Sequence, residues 1–427
     1  MYGEIILNKL NRLSQVETLK DVKPLTSTIY PGTHCPLFGA AMTLRMIKDV
    51  VALVIGTEEC TYYTKSLSLV YNEFGGLDGR CLSVVVDKHD VTFGCKAKLE
   101  EASKEVVEEY EPSAVFLITT CVLEITGDDI DSIAQGLSAK YGIPFLTVHT
   151  DHFRCDGHAS GIQNVLSACV DIMEIAEKDG SVNLLGQNSG RSELAEFLRK
   201  NDVKINVSIP SRCELSEIEK ASLSTVNIVC SRIAVSLAKK MEERFGTPWI
   251  SFYDRCTPDQ IFEGYSGLCN YLEIRIPEEL SEKRHHLEDR IASSREVLEG
   301  GSFIYGAAGV EPFVLSSFLC SLGVKPVMIQ TKEIADEDAE NIRNILSVCD
   351  PYVTRSANLA SLRHIYSLLE PNLYLGPAER DVLLANGIVG IGLSKATEYL
   401  GFQLSEHIID VFESGMRRSR ELRGMTV

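Results

Sequence analysis

The chain has 427 residues, of which 24% are charged, and a formal net charge of −18 at pH 7. A single hydrophobic core stops growing beyond about 250–300 residues, so this length predicts two or three domains. The negative charge argues against a nucleic-acid-binding protein, because binding to the phosphate backbone depends on lysine and arginine. Thirteen cysteines favour a reducing compartment in which thiols stay free or bind metal.

The apolar segments, such as Val50 to Ile55, are much too short to cross a bilayer, and no N-terminal segment has the features of a signal peptide. We therefore expect a cytoplasmic protein without membrane partners. The dipeptide Gly-Lys is absent from the sequence, so it contains no Walker-type phosphate loop. Any dependence on ATP must then come from a partner protein.

Short apolar runs alternate with helical patterns along almost the whole chain, which is typical of parallel sheets covered by helices. The predicted strands are residues 51–55, 82–86, 114–118, 144–148, 182–185, 203–207, 226–229, 249–252, 303–305, 324–329, 352–354, 373–375 and 388–391. The clearest predicted helices are residues 97–110, 128–141 and 277–298. We predict an α/β fold of three doubly wound, mostly parallel-sheet, Rossmann-like domains.

The predicted domains are residues 1–180, which contain the candidate cluster cysteines, residues 181–300, which contain Cys230, and residues 301–427. The second boundary follows the long charged helix, which Gly300 and Gly301 are expected to end. The first boundary depends on a short polar segment at residues 178–181 alone.

Three cysteines stand where strands are predicted to end. Cys35, Cys60 and Cys121 each come at the end of an apolar run that we interpret as a buried strand. Thiolates on such loops, beside helix N-termini, can converge and are suited to iron–sulfur clusters. Three ligands are one fewer than a closed site needs, so we expect a cluster at a subunit boundary. The alternative at each position is a cysteine that only packs.

Cys230 directly follows the predicted strand 226–229 and precedes a helical pattern in which Ile233, Leu237 and Met241 recur every four residues. The thiol is therefore expected at the carboxyl end of a strand, beside a helix N-terminus whose partial positive charge would favour thiolate. This position suits a metal ligand, and a buried packing cysteine is the alternative.

With their flanking residues, these cysteines resemble those of the nitrogenase component 1 superfamily. Residues 53–57, before Cys60, resemble the cluster-ligand subunit of dark-operative protochlorophyllide reductase. Residues 90–94 and 127–131 resemble the nitrogenase D and E subunits, and residues 230–249 resemble nitrogenase D around the cysteine that anchors its active-site cofactor.

The resemblance implies an iron–sulfur cluster, of the 4Fe-4S or the 8Fe-7S P-cluster type, held by Cys35, Cys60 and Cys121 at the subunit interface. It also implies a second, iron–sulfur-based metal cofactor at Cys230. The implied partners are a paralogous K- or N-type subunit, or a second copy of the chain, and a separate ATP-dependent iron–sulfur reductase like the nitrogenase Fe protein. A heterotetramer in an anaerobic host fits these features.

Two departures from nitrogenase D stand in the third predicted domain. No histidine occurs in residues 390–395, the segment that matches where nitrogenase D supplies one to its cofactor. The turn containing Gly306 and Gly309 resembles the backbone cradle near that cofactor, but Val310 and Glu311 follow where nitrogenase carries arginine. We therefore predict Gly306 and Gly309 as cofactor-binding residues, with a less anionic cofactor or a different substrate.

Histidines cluster after the predicted strand that ends at residue 148. His149, His152 and His158 can titrate near neutral pH, and reduction needs protons as well as electrons. We predict His152 and His158 as catalytic residues that deliver protons or line a substrate site. A solvated polar loop is the alternative.

These patterns favour the catalytic subunit of a nitrogenase-like, iron–sulfur-dependent reductase. It would receive electrons from the ATP-hydrolysing partner and reduce a small substrate, for example of the methylthio-alkane type, at a metal cofactor. Two alternatives stay open. One is a scaffold like the nitrogenase E subunit, on which a metal cofactor matures. The other is a tetrapyrrole reductase, which the segment before Cys60 favours and Cys230 disfavours.

Overall fold

A computed structural model describes residues 2–28, 34–70, 79–151, 157–186, 192–355, 359–394, 396 and 398–424. The chain divides into two compact units. Unit 1 comprises Met1–Gly32, Arg191–Phe197 and Ser251–Val427, and unit 2 comprises Thr33–Gly190 and Leu198–Ile250.

Strands occur along the whole chain and most are short. They are β1 (Asn11–Arg12), β2 (Ile47–Lys48), β3 (Val50–Gly56), β4 (Cys81–Val85), β5 (Ala114–Thr119), β6 (Phe145–Val148), β7 (Val182–Leu185), β8 (Ile205–Ile209), β9 (Cys213–Glu214), β10 (Val226–Val229), β11 (Trp249–Ser251), β12 (Ser302–Tyr305), β13 (Lys325–Gln330), β14 (Tyr352–Thr354), β15 (Leu373–Leu375) and β16 (Val389–Ile391).

Helices lie between most successive strands. They are α1 (Tyr2–Leu7), α2 (Pro36–Leu44), α3 (Glu58–Val70), α4 (Lys88–Phe93), α5 (Lys96–Tyr110), α6 (Cys121–Thr126), α7 (Ile130–Tyr141), α8 (His158–Ala168), α9 (Glu193–Lys200), α10 (Leu215–Glu219), α11 (Val235–Phe245), α12 (Pro258–Tyr271), α13 (Glu278–Leu298), α14 (Pro312–Ser321), α15 (Ala339–Leu346), α16 (Leu359–Leu362), α17 (Tyr366–Leu369), α18 (Arg380–Ala385) and α19 (Phe402–Leu422). Within the described ranges, no helix is long and apolar enough to cross a membrane.

The first sheet, in unit 2, has the strand order β4-β3-β5-β6, and each neighbouring pair is parallel. Every residue of β3 and β5 is buried, as expected of central strands covered by helices on both faces. Leu53 and Leu117, from these two strands, pack in one cluster with Leu99 of α5 and Leu137 of α7. Because the strands are parallel, their carboxyl ends meet at one edge of the sheet.

The second sheet has the order β11-β10-β7-β8, and β7 is parallel to both β10 and β8. All residues of β7 and β10 are buried. Asn183 of β7 lies opposite Asn227 of β10, and its Nδ2 donates to Oδ1 of Asn227 at 2.7 Å. The hydrogen bond offsets the cost of burying these amides and sets the two strands side by side.

The third sheet, in unit 1, has the order β1-β14-β13-β12-β15-β16. Its strands pair in parallel except that β1 is antiparallel to β14. The core on one side of this sheet includes Ile304 of β12, Met328 of β13 and Tyr374 of β15, together with Ile6 of α1.

The predicted α/β fold with parallel, Rossmann-like sheets is confirmed. Some ends differ: β8 begins two residues later than the predicted strand 203–207, and α13 begins at Glu278 with Pro277 as its N-cap. Three two-residue strands, β1, β2 and β9, were not predicted, because so short a pairing has no hydrophobic period. The domain boundaries near residues 180 and 300 remain a prediction.

Candidate functional site

Cys60 and Cys121 follow neighbouring strands of the first sheet. β3 and β5 run parallel with Ile55 opposite Thr119, so both segments leave the sheet at its carboxyl edge. Cys60 lies in the first turn of α3, and Cys121 is the first residue of α6. The structure thus brings the helices that carry these two predicted ligands to the same edge of one sheet.

Thr120 connects the two segments that follow β3 and β5. Its N–H and its hydroxyl both donate to the carbonyl oxygen of Ile55, at 3.2 and 3.0 Å. A Cβ at Gly56 would lie 2.2 Å from Oγ1 of Thr120, which is far inside van der Waals contact. Glycine at position 56 therefore permits the segment before Cys121 to approach the end of β3.

Cys35 is the N-cap of α2, and Pro36 occupies the first helical position. The apolar run predicted before it extends into residues 29–33, which lie outside the described residues. α2 packs against α3, which carries Cys60, and against α8. Cys35 is thereby fixed in the same unit as the other two cysteines.

Two glycines bring α2 and α8 into backbone contact. A Cβ at Gly39 would lie 1.8 Å from the carbonyl oxygen of His158, and a Cβ at Gly161 would lie 1.8 Å from that of Pro36. No side chain fits at either position without separating the helices. The contact therefore orients the first turn of α2, and with it Cys35.

The three cysteines are partly exposed, so their thiols are accessible to a cluster. The hydroxyl of Thr57 donates to Sγ of Cys60 at 3.5 Å, a contact that would stabilise a thiolate. In the described part of the chain, no group of three or more His, Cys, Asp or Glu side chains could hold a single metal ion. In a 4Fe-4S cluster each cysteine ligand binds a different iron, so the ligands can lie farther apart than those of a single ion. Accessible thiols in one unit fit a cluster completed by a second subunit, and this assignment remains a prediction.

Glu124, three residues after Cys121 in α6, links that helix to the end of β6. Its Oε1 lies 2.6 Å from Nδ1 of His149, and Nε2 of His149 lies 3.4 Å from Oδ2 of Asp131. The hydroxyl of Thr119 also donates to Oε1 of Glu124. Burial disfavours the charged imidazole, but the hydrogen bond to Glu124 and the two carboxylate charges outweigh it and raise the pKa of His149 above its ordinary value of 6.5.

We expect the Glu124–His149 pair to make the stability of unit 2 depend on pH. Because the pKa of His149 is higher in the folded chain, its contribution is complete below about pH 6.5 and is lost as the pH rises through the folded value. His149→Gln should therefore lower the free energy of unfolding more at about pH 6 than at about pH 8, as measured by urea denaturation. The same substitution in a Glu124→Gln chain provides the control, since the difference should shrink once the main hydrogen-bond partner of His149 is removed. An equal loss at both pH values would contradict the prediction.

The remaining histidines are placed differently. His158 is the exposed first residue of α8, and His152 lies outside the described residues. His149 is directed to Glu124 and Asp131. The catalytic assignment of His152 and His158 therefore remains a prediction.

Cys230 lies directly after β10, as predicted, and is 8% exposed. Its N–H donates to the carbonyl oxygen of Leu185 at 2.7 Å. The predicted helix does not begin beside it: a 3₁₀ turn at Arg232–Ala234 comes first, and α11 starts at Val235. Burial raises the pKa of the thiol, opposite to the effect expected of a helix N-terminus. A metal that binds Cys230 must therefore displace its proton.

The turn after β12 in unit 1 is organised around a tyrosine. The hydroxyl of Tyr305 donates to the carbonyl oxygen of Val310 at 2.5 Å. The N–H of Gly306 donates to Leu375 at 2.8 Å, and Gly309 has a left-handed φ of +70°. Much of the predicted cradle thus bonds to the protein itself, and cofactor binding by Gly306 and Gly309 remains a prediction.

Two features were missed from the sequence. Glu124 has a weak signal, since it stands one helical turn after Cys121, but nothing marks its partner 25 residues away. The close approach of α2 and α8 at Gly39 and Gly161 has no signal, because single glycines in helices are common and their packing partners are not encoded locally.

Known proteins similar to this chain include two named nitrogenase iron-molybdenum cofactor biosynthesis protein NifE. The one from Rippkaea orientalis is 28% identical over 76% of this chain and 72% of its own length. The one from Nostoc sp. is 26% identical over 86% of this chain and 78% of its own length. The solved structure "Nitrogenase Cp1 at pH 5" matches with a TM-score of 0.64 and 19% identity over 100% of this chain and 99% of that one, which supports the fold.

The family model for nitrogenase component 1 type oxidoreductases matches residues 35–393. This range begins at Cys35 and includes the elements that carry Cys60, Cys121 and Cys230. It covers most of both units, so the likeness is not confined to one motif. The chain belongs to the family of nitrogenase component 1 type oxidoreductases.

Proposed function

We propose that the chain is a scaffold subunit on which an iron–sulfur-based metal cofactor matures. The observation that carries the proposal is its similarity to proteins named for iron-molybdenum cofactor biosynthesis, which extends over 76% and 86% of the chain. These relatives support the scaffold alternative better than the substrate-reducing enzyme that the sequence patterns favour.

In this proposal Cys35, Cys60 and Cys121 hold a cluster that a paralogous N-type subunit, or a second copy of the chain, completes. Bound there, the cluster would transfer electrons delivered by an ATP-hydrolysing iron–sulfur partner. Thr120 keeps the exits of β3 and β5 together, and the hydroxyl of Thr57 donates to Sγ of Cys60 at 3.5 Å. These contacts limit how far the ligands can move.

Cys230 would anchor the maturing cofactor. A Cβ at Gly186, at the end of β7, would lie 2.8 Å from Cβ of Ser231, so the two strand exits lie in contact beside the thiol. Residues 390–395 contain no histidine, and Glu311 carries a negative charge. Both features should weaken the binding of an anionic cofactor. Weaker binding of the cofactor suits a scaffold, because a scaffold must release its product.

The proposal predicts that Cys230→Ala lowers the iron-to-protein ratio while the absorption of the interfacial cluster persists. One small side chain carries little of the core, so the fold should be retained. Iron and protein are measured on anaerobically purified chain, with the buried Cys269→Ala as the matched control. An unchanged ratio would rule out a cofactor at Cys230 and leave the tetrapyrrole alternative.

A transfer assay separates the scaffold from the reductase. The loaded chain should pass iron to a cofactor-free nitrogenase-type acceptor, and the Cys230→Ala chain should pass much less. Sustained reduction of a methylthio-alkane by the chain with its ATP-dependent partner, without transfer, would establish the reductase instead.

A further inference from the structure

Two cysteines of unit 1 meet outside the proposed metal sites. Cys320 is the next-to-last residue of α14, and Cys349 follows the end of α15. The two helices pack against each other. The side chains of Cys320 and Cys349 lie close enough to interact, and neither cysteine is in a disulfide.

The backbone around the pair fixes this arrangement. The N–H of Gly323 donates to Cys320 at 3.1 Å, and that of Val324 donates to Leu319 at 3.0 Å, which forms the turn from α14 into β13. Sγ of Cys349 lies 3.8 Å from the carbonyl oxygen of Pro326, just beyond that turn. Cys349 is therefore held against the same turn that carries Cys320.

The two thiols differ in accessibility and charge. Cys320 is 7% exposed, whereas Cys349 is partly exposed. The interaction with Cys320, followed by the charge of Lys325, lowers the pKa of Cys349 against the effect of burial. The same interaction, and burial, raise the pKa of Cys320. Because Cys349 is the more accessible thiol, an oxidant in solution reaches it first, and Cys320 is its buried neighbour.

We propose that Cys320 and Cys349 are a redox-active dithiol that small-molecule disulfides oxidise to a reversible intrachain disulfide. The thiolate of Cys349 attacks one sulfur of the oxidant, breaks its S–S bond and releases one thiolate. Cys320 then loses its proton and attacks Sγ of Cys349, which releases the second thiolate. The protein gives up two electrons and two protons, and the oxidant leaves as two thiols.

A second neighbouring pair in unit 2 provides an internal comparison. Cys169 and Cys213 are close enough to interact, but they are 0% and 4% exposed. Burial raises the pKa of each thiol to about 12. Without an accessible thiolate, this pair should stay reduced under conditions that oxidise Cys320 and Cys349.

The test exposes the full-length chain, reduced and freed of small thiols under nitrogen, to oxidised glutathione. Free thiols are then alkylated and the peptides mapped by mass spectrometry. The peptides of Cys320 and Cys349 should become linked, about tenfold or more faster than any linkage of Cys169 to Cys213. In the Cys320→Ser variant, the reaction should stop at a glutathione adduct on Cys349. If the serine variant does not fold, Cys320→Ala takes its place. Cys349→Ser should leave Cys320 unmodified.

Three results would overturn the proposal. The first is linkage in the urea-unfolded chain as fast as in the folded one, because the fold would then contribute nothing. The second is a Cys349 that reacts no faster than Cys213. The third is a wild-type chain that keeps glutathione on Cys349 without transfer to Cys320.

Discussion

Cys35→Ala, Cys60→Ala and Cys121→Ala are each expected to lose most of the iron that the wild-type chain binds. A cluster that lacks one thiolate loses a bond and part of the negative charge that balances its iron, so each single change should resemble loss of the whole site. The iron-to-protein ratio and the visible absorption of anaerobically purified protein measure this effect.

Cys81 provides the matched control. It is 3% exposed and begins β4, so it lies at the amino edge of the same parallel sheet, opposite the edge where Cys60 and Cys121 emerge. Cys81→Ala should keep its iron. If the three ligand variants retain as much iron as this control, the proposed cluster site is wrong.

Gly39→Ala is expected to destabilise unit 2 by about 3 kcal/mol, the upper part of the range for overpacking. The new methyl group would lie 1.8 Å from the carbonyl oxygen of His158, so α2 and α8 must separate. This movement displaces the N-terminus of α2 and the Cys35 thiol, so iron content should fall together with stability. Urea denaturation and iron analysis of one preparation measure both.

Gly136 is a control for the same chemical change. It lies within α7, where an added Cβ would meet no atom within 4 Å. Gly136→Ala should therefore raise stability, by up to about 1 kcal/mol, because alanine favours the helix more than glycine. Equal effects of the two substitutions would show that α2 and α8 tolerate separation and that their contact does not position Cys35.

The amino-acid pattern by itself determined the central strands and the placement of three candidate ligands. β3 and β10 could be predicted because a parallel strand covered on both faces is a continuous apolar run, and the run is visible without a partner. Cys230 directly follows such a run, and Cys60 and Cys121 come a few residues after theirs, so their place near strand ends follows from chain order. The resemblance to the family was also recognised from local segments around these cysteines.

The tertiary structure alone decided the contacts between distant segments. β1 pairs with β14, with Asn11 opposite Val353, although the two polar residues near the N-terminus have no periodic signal that predicts a strand. The approach of Gly39 to α8 and the bond between His149 and Glu124 are of the same kind. Such contacts depend on where both segments lie in the folded chain, and hydrophobic periodicity describes only how each segment meets the core.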